Sequence, residues 1–148
     1  MTPDVNVLAA AFRRDHPHHN IARSWLDKAR LLCAEGRDSL SLSPMVAVGF
    51  LRLVTNPRVF ARPDATANAV AFIDALLSSP GVELLAIAAE WPLLRGKLLT
   101  GRLQGNDVTD AWIAAATEAF SEHLVTFDRD FTRLLSARDV TVLASAGH

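Results

Sequence analysis

Cysteine is nearly absent. Cys33 is the single one in 148 residues, so no disulfide can close within the chain and no cysteine cage can hold zinc. That usage fits a reducing cytoplasm. Cys33 lies in an apolar helical stretch and reads as a small core residue. Long apolar runs are missing too, which leaves no membrane-span candidate. The start, MTPDVNVL, lacks the basic head and apolar stretch of a signal peptide. Neither sign of charge dominates: 15 basic residues stand against 16 acidic ones, for a net charge of -1. The molecule as a whole is therefore not a polyelectrolyte binder of nucleic acid. Lysine is scarce, with 2 against 13 arginines. Arg suits planar phosphate recognition better than Lys, but these arginines are scattered, as a compositional bias of the genome would leave them. The chain shows no internal repeat, low-complexity tract or linker.

Half of the residues are hydrophobic, which argues against disorder. A chain of this length is expected to form one domain, residues 1–148, burying roughly 70% of the surface it would expose unfolded. Two patterns alternate along it. Ser39–Leu42, Val82–Leu85, His123–Thr126 and Val140–Leu143 read as short strands. Between them lie stretches with helical spacing: Ile21 to Leu32, stopped by Gly36; Pro44 to Val54, ended by Asn56-Pro57; Ala65–Ser78, with Asp64 as N-cap and Pro80-Gly81 as stop; Glu90–Leu99; and Val108–Ala119. Strands separated by helices predict an α/β fold with a parallel sheet and helices on both faces. In such sheets ligands bind outside the carboxyl ends of the strands.

The stretch LVTFDRDF, Leu124 to Phe131, runs strand residues straight into Asp128 and Asp130. Two carboxylates at a strand end repel each other unless something compensates them. Other acids fall where the same sheet edge is expected. Asp4 precedes an apolar helical run in PDVNVL. Asp107 and Asp110 lie in GNDVTDAWIAAA, three apart and so on one face of a helix. Singly, each has a plain structural role as an N-cap, a partner of a helix dipole or a turn former. Together, three segments deliver carboxylates to one edge. A hard divalent cation binds through one or two carboxylates plus waters and substrate phosphates. The chemistry this points to is metal-assisted hydrolysis of a phosphodiester.

PDVNVL, GFLRLVTNPRVF, TDAWIAA and LVTFDRDF occur in this order along nearly the whole chain, which resembles the PIN-domain ribonucleases and most closely the VapC toxins of bacterial toxin–antitoxin pairs. The resemblance implies a three-layer α/β/α sandwich around a mainly parallel sheet. It also implies an endoribonuclease with Mg²⁺ or Mn²⁺ in a ring of acids. Asp4, Asp110 and Asp128 match the catalytic, metal-holding positions. Asn6 and Thr126 match polar residues that support the ring, and Asp130 and Asp107 are further candidates. An RNA substrate, a VapB-like antitoxin that blocks the site, and a homodimer follow as expected partners.

The chain departs from the family pattern in two places. The Glu usual in the central helix aligns with Gly49 in VAVGFLRL, so one carboxylate is missing and weaker metal binding is expected. Only Met1, Thr2 and Pro3 precede Asp4, and Pro3 lacks the N–H of a central strand. The first strand is then very short, or the true start lies upstream. The lost Glu leaves a second reading open, a catalytically weakened PIN-fold module that binds RNA or antitoxin. A third reading is a phosphotransfer domain. It would want Asp-x-Asp after the first strand or a late Lys, whereas the chain offers Asp4-Val5-Asn6 and its last Lys is Lys97.

Some features have two readings. Arg52, Arg58 and Arg62, around TNPRVFARP, either meet RNA phosphates near the acids or are solvated surface. Asp15-His16-Pro17-His18-His19 reads as polar residues leading into a helix rather than a zinc site, whose ligands are usually more widely spaced. Trp25 and Trp112 lie in apolar stripes and are expected in the core, with Trp91 exposed at a helix start.

Overall fold

The computed structural model describes residues 1–85, 90–101, 103 and 107–144. Its elements run β1 (Thr2–Pro3), α1 (Val5–Phe12), α2 (His19–Ala34), β2 (Leu40–Leu42), α3 (Pro44–Val54), α4 (Thr66–Leu77), β3 (Val82–Leu84), α5 (Trp91–Gly101), α6 (Asp107–Ala119), β4 (Leu124–Thr126), a 3₁₀ turn (Arg129–Arg133) and β5 (Val140–Val142). Strands alternate with helices, every strand pairing is parallel, and the fold is the expected α/β/α sandwich. β1 pairs with β4 and β4 with β5, while β2 pairs with β3.

The two sets of strands meet at β1, where the Ser41 N–H donates to the Met1 carbonyl at 2.9 Å. Pro3 explains why the ladder is thin there. The N–H groups of Thr2 and Asp4 both point to β4, reaching the carbonyls of His123 and Val125 at 2.8 Å. Alternation puts residue 3 on the β2 side, where a proline has no N–H to give. The missing donor therefore weakens β1 against β2 and leaves the β1–β4 pairing intact. That pairing joins Asp4 to the strand that carries Thr126.

Core burial follows the sequence periodicity. Val7 to Ala11 of α1 are buried on every side, as are Leu40, Leu42 and Leu124 of the strands. Phe50 is fully buried and meets Phe12 edge-on, their centroids 5.4 Å apart, with Phe72 at 5.4 Å closing the contact between α1, α3 and α4. Cys33 is buried, as expected. Trp25 packs against the main core and Trp112 against a smaller cluster with Leu94 and Ala115. Trp91 opens α5, but its side chain lies outside the described residues. Among the described residues no helix is long and apolar enough to cross a membrane.

One expectation fails. Asp64 does not cap α4. Ala65 holds the cap position without a side-chain bond, and the helix begins at Thr66. The Asp64 carboxylate instead takes a hydrogen bond from Arg13 Nη1 at 2.6 Å. Arg13 also grips Asp15 through Nε and Nη2, bonds the Arg62 carbonyl at 3.2 Å, and lies 3.8 Å above the Phe60 ring. A buried guanidinium with acceptors on hand outcompeted the local cap.

Candidate active site

Asp4 is the first residue past the carboxyl end of β1, and it is 4% exposed. Its Oδ1 accepts the Val5 N–H at 2.6 Å. Its Oδ2 accepts the Thr126 hydroxyl at 2.7 Å and Asn6 Nδ2 at 3.0 Å. Thr126, the last residue of β4, also accepts Asn6 Nδ2 at 3.1 Å and the Asp128 N–H at 3.0 Å. With two N–H groups on its acceptor side, the hydroxyl proton is committed to Asp4. Asn6 Oδ1 accepts the Phe127 N–H at 3.2 Å, which fixes the orientation of the amide. Asn6 and Thr126 thus both donate to the Asp4 carboxylate.

Asp128 caps the 3₁₀ turn, its Oδ1 accepting the Asp130 N–H at 2.8 Å. Asp110 lies in the first turn of α6 with Asp107, as the three-residue spacing predicts. The carboxyl of Asp110 is pushed up to about 6, first by burial and then by the charges of Asp4, Asp128, Asp107 and Asp130. Burial also raises Asp4, against the hydrogen bonds of Thr126, Val5 and Asn6, and Asp128 adds to the rise. Acids from β1, α6 and the end of β4 therefore act on one another. Asp107 and Asp130 are exposed at its margin.

This donor set is all oxygen and all negative, which fits a hard divalent cation such as Mg²⁺ or Mn²⁺. The observation behind that fit is Asp110, whose carboxylate is disfavoured first by burial and then by like charges that a cation would offset. Among the described residues no three of His, Cys, Asp and Glu stand close enough to cage an ion unaided. Mg²⁺ does not require such a cage, since waters and phosphate oxygens fill most of its shell.

Gly49 of α3 packs against Val5, the residue after Asp4. A Cβ built there would stand 2.8 Å from Val5 Cγ2, so α3 approaches α1 more closely than a larger residue would allow. The three arginines separate. Arg52 lines grooves beside Gly49 and Thr109, whereas Arg62 lines a cavity with Arg13 and Asp64. Arg58 is exposed in the loop, its N–H bonded to Asn56 Oδ1 at 2.9 Å. Sequence reasoning missed Arg13, whose only signal was an arginine at the end of a buried helix. It also missed a stack beside the acids: the His18 ring lies 4.6 Å from Phe127 at 19°. His16 Nδ1 accepts the His18 N–H, and His19 Nδ1 bonds the Ala10 carbonyl, which accords with a helix lead-in.

The sequence matches the PIN domain over residues 1–135. It is 38% identical over 144 residues to ribonuclease VapC25 of Mycobacterium tuberculosis, covering 93% of this chain and 94% of that protein. Ribonuclease VapC31 of the same species is 37% identical over 138 residues, with 93% and 94% covered. The fold superposes on VapBC2 from Rickettsia felis, a crystal structure bound to a promoter DNA fragment, with a TM-score of 0.65 at 20% identity, covering 95% of this chain and 96% of that one. It superposes on Mycobacterium tuberculosis VapC20, a sarcin-ricin loop cleaving toxin, with a TM-score of 0.61 at 18% identity, covering 93% and 98%.

Proposed function

We propose, from the premise that this chain belongs to the PIN domain family, that it is a metal-dependent endoribonuclease and the toxin of a toxin–antitoxin pair. The observation that carries the reading is the convergence on Asp110, whose carboxyl rises to about 6, first through burial and then through four neighbouring acids at the carboxyl edge of a parallel sheet. Asp4, Asp110 and Asp128 would hold Mg²⁺, with Mn²⁺ a possible substitute. Bound there, the ion supplies a more acidic water and neutralises charge on a phosphodiester. The protein's own part is to aim the carboxylates. Thr126 and Asn6 lock Asp4, and the Asp130 N–H holds Asp128. RNA is the substrate, and the partners are a VapB-like antitoxin and a second copy of the chain. The whole of residues 1–148 acts as one unit in the cytoplasm.

The test uses purified protein, structured RNAs and Mg²⁺, Mn²⁺ or EDTA, with Asp110→Asn as control. Cleavage that needs metal and disappears in the variant is the expected result. Cleavage that survives Asp110→Asn would remove the site.

A second reading has its own observation. Gly49 brings no carboxylate, and Val5 occupies the space beside it. A binding module that has lost catalysis would show RNA retention without cleavage. Gly49→Glu alone is a poor discriminator because it must displace Val5. The pair Gly49→Glu and Val5→Ala makes the room, and cleavage gained only in that pair would identify a degraded nuclease.

A further inference from the structure

We propose that the groove floored by Gly49 seats one unstacked nucleobase of the RNA strand beside the acids, with Arg52 on an adjoining phosphate. The inference rests on the ribonuclease reading and adds where the strand is gripped. Two cavities of about 300 and about 380 Å³ share Met45, Gly49, Arg52 and Thr109, so they form one groove between α1, α3 and α6. Gly49 lines both parts and lets α3 lie close against Val5 on the groove wall. Trp112 lines one part, offering an aromatic surface.

The groove is walled by the chain neighbours of two acids. Val5, on its wall, follows Asp4, and Thr109 precedes Asp110. Its lips are apolar and uncovered, Val48 at 63% and Val59 at 52% exposure. Arg52 makes no ion pair or hydrogen bond among the described residues, although Asp4 and Asp110 lie at the ends of neighbouring elements. An apolar slot with an aromatic wall suits the face of a base, and a free guanidinium at its rim suits a phosphate. A peptide could use the apolar part. The free cation next to a site that handles phosphodiesters favours RNA.

The experiment measures binding, not turnover. A short single-stranded oligoribonucleotide is titrated by fluorescence anisotropy onto Asp110→Asn protein, and an abasic residue is moved along the strand one position at a time. One position is expected to weaken binding by about tenfold, the loss of one stacked base. That penalty should disappear in Met45→Trp, which fills the groove. It should also disappear in Val48→Glu, which alters an exposed lip without touching the core. Arg52→Ala should weaken every strand alike. A flat abasic profile, or a penalty unchanged by both groove variants, overturns the inference and leaves the groove to a protein partner, while metal-dependent cleavage by the unaltered protein would still stand. Absence of both RNA binding and cleavage removes the ribonuclease reading and this inference with it.

Discussion

Thr126 and Asp4 lie 122 positions apart in the chain, yet the Thr126 hydroxyl donates to Asp4 Oδ2 at 2.7 Å. Parallel pairing of β1 with β4 sets Pro3 opposite Val125, so Asp4, just past β1, and Thr126, the last residue of β4, arrive at the same edge. Thr126 is 0% exposed, and every hydrogen-bonding position on its oxygen has a use. The bond therefore aims the first acid of the site through the sheet itself.

Thr126→Val keeps the shape and deletes the hydroxyl. Asp4 loses a donor, and the Asn6 amide and the Asp128 N–H lose an acceptor. A cost of about 1–3 kcal/mol in urea unfolding is expected for leaving such groups unpaired. RNA cleavage should fall with it, and Thr126→Ser should restore most of both. Wild-type cleavage by Thr126→Val would mean that Asp4 needs no aiming.

Acidity and metal binding should be linked through Asp110. Its folded value of about 6 lies above the ordinary 3.8, so the folded protein holds this proton more tightly than the unfolded chain does. Without metal, the group's contribution makes stability fall as pH rises from about 4 through about 6, after which it levels. Mg²⁺ needs the ionised form. The rise in Tm on adding Mg²⁺ should be large at about pH 8 and should shrink below about pH 6, where each ion must displace a proton. A Mg²⁺ shift that is flat across that range would disconnect Asp110 from the metal.

Asp110→Asn separates stability from function. Removing this charge relieves its burial cost and then the repulsion of its neighbours, so the metal-free variant should be more stable than wild type at neutral pH. Allowing for the share of the side chain in water, the gain is about 1 kcal/mol. That corresponds to about 2–4 °C in Tm for a domain of this size. The same variant should lose the Mg²⁺-induced rise. Calorimetry with and without Mg²⁺ reads both, and a less stable metal-free variant would show that the acids do not repel as described.

Arg13 should be a stability residue. Its side chain is 6% exposed and bonds Asp15, Asp64 and the Arg62 carbonyl. Arg13→Ala strands the partly buried Asp64 and should cost about 2–4 kcal/mol in unfolding. Arg13→Lys cannot reproduce the fork and should recover only part. An Arg13→Ala protein with the wild-type unfolding midpoint would show that the loop before α4 does not depend on it.

Much of this was legible in the sequence because it is periodic or local. The strands were found to within a residue or so, since each is an apolar run between turn formers. Asp4, Asp110 and Asp128 are legible as candidates because strand ends and helix starts converge in a parallel sheet, whereas Asn6 and Thr126 enter only through the family resemblance. The capping role given to Asp64 failed because its partner, Arg13, is 51 positions away. Gly49 was read as a missing acid. That it is also a close approach to Val5 depends on how α1 and α3 pack, which no pattern within either helix encodes.

Gly49→Ala sets two effects of opposite sign against each other. Replacing a helix-interior glycine by alanine ordinarily gains about 1 kcal/mol. Here the new Cβ would lie 2.8 Å from Val5 Cγ2, and a valine has no flexible end to swing aside. Overpacking of that kind costs about 1–3 kcal/mol, so a net loss of about 1 kcal/mol is expected. Adding Val5→Ala removes the clash, so in the Val5→Ala background Gly49→Ala should be stabilising, the reverse of its sign in wild type. Urea unfolding of the four proteins of this cycle measures the coupling between the two sites. Equal effects of Gly49→Ala in both backgrounds would show that α1 and α3 adjust freely. The glycine would then be dispensable to the packing beside the acids.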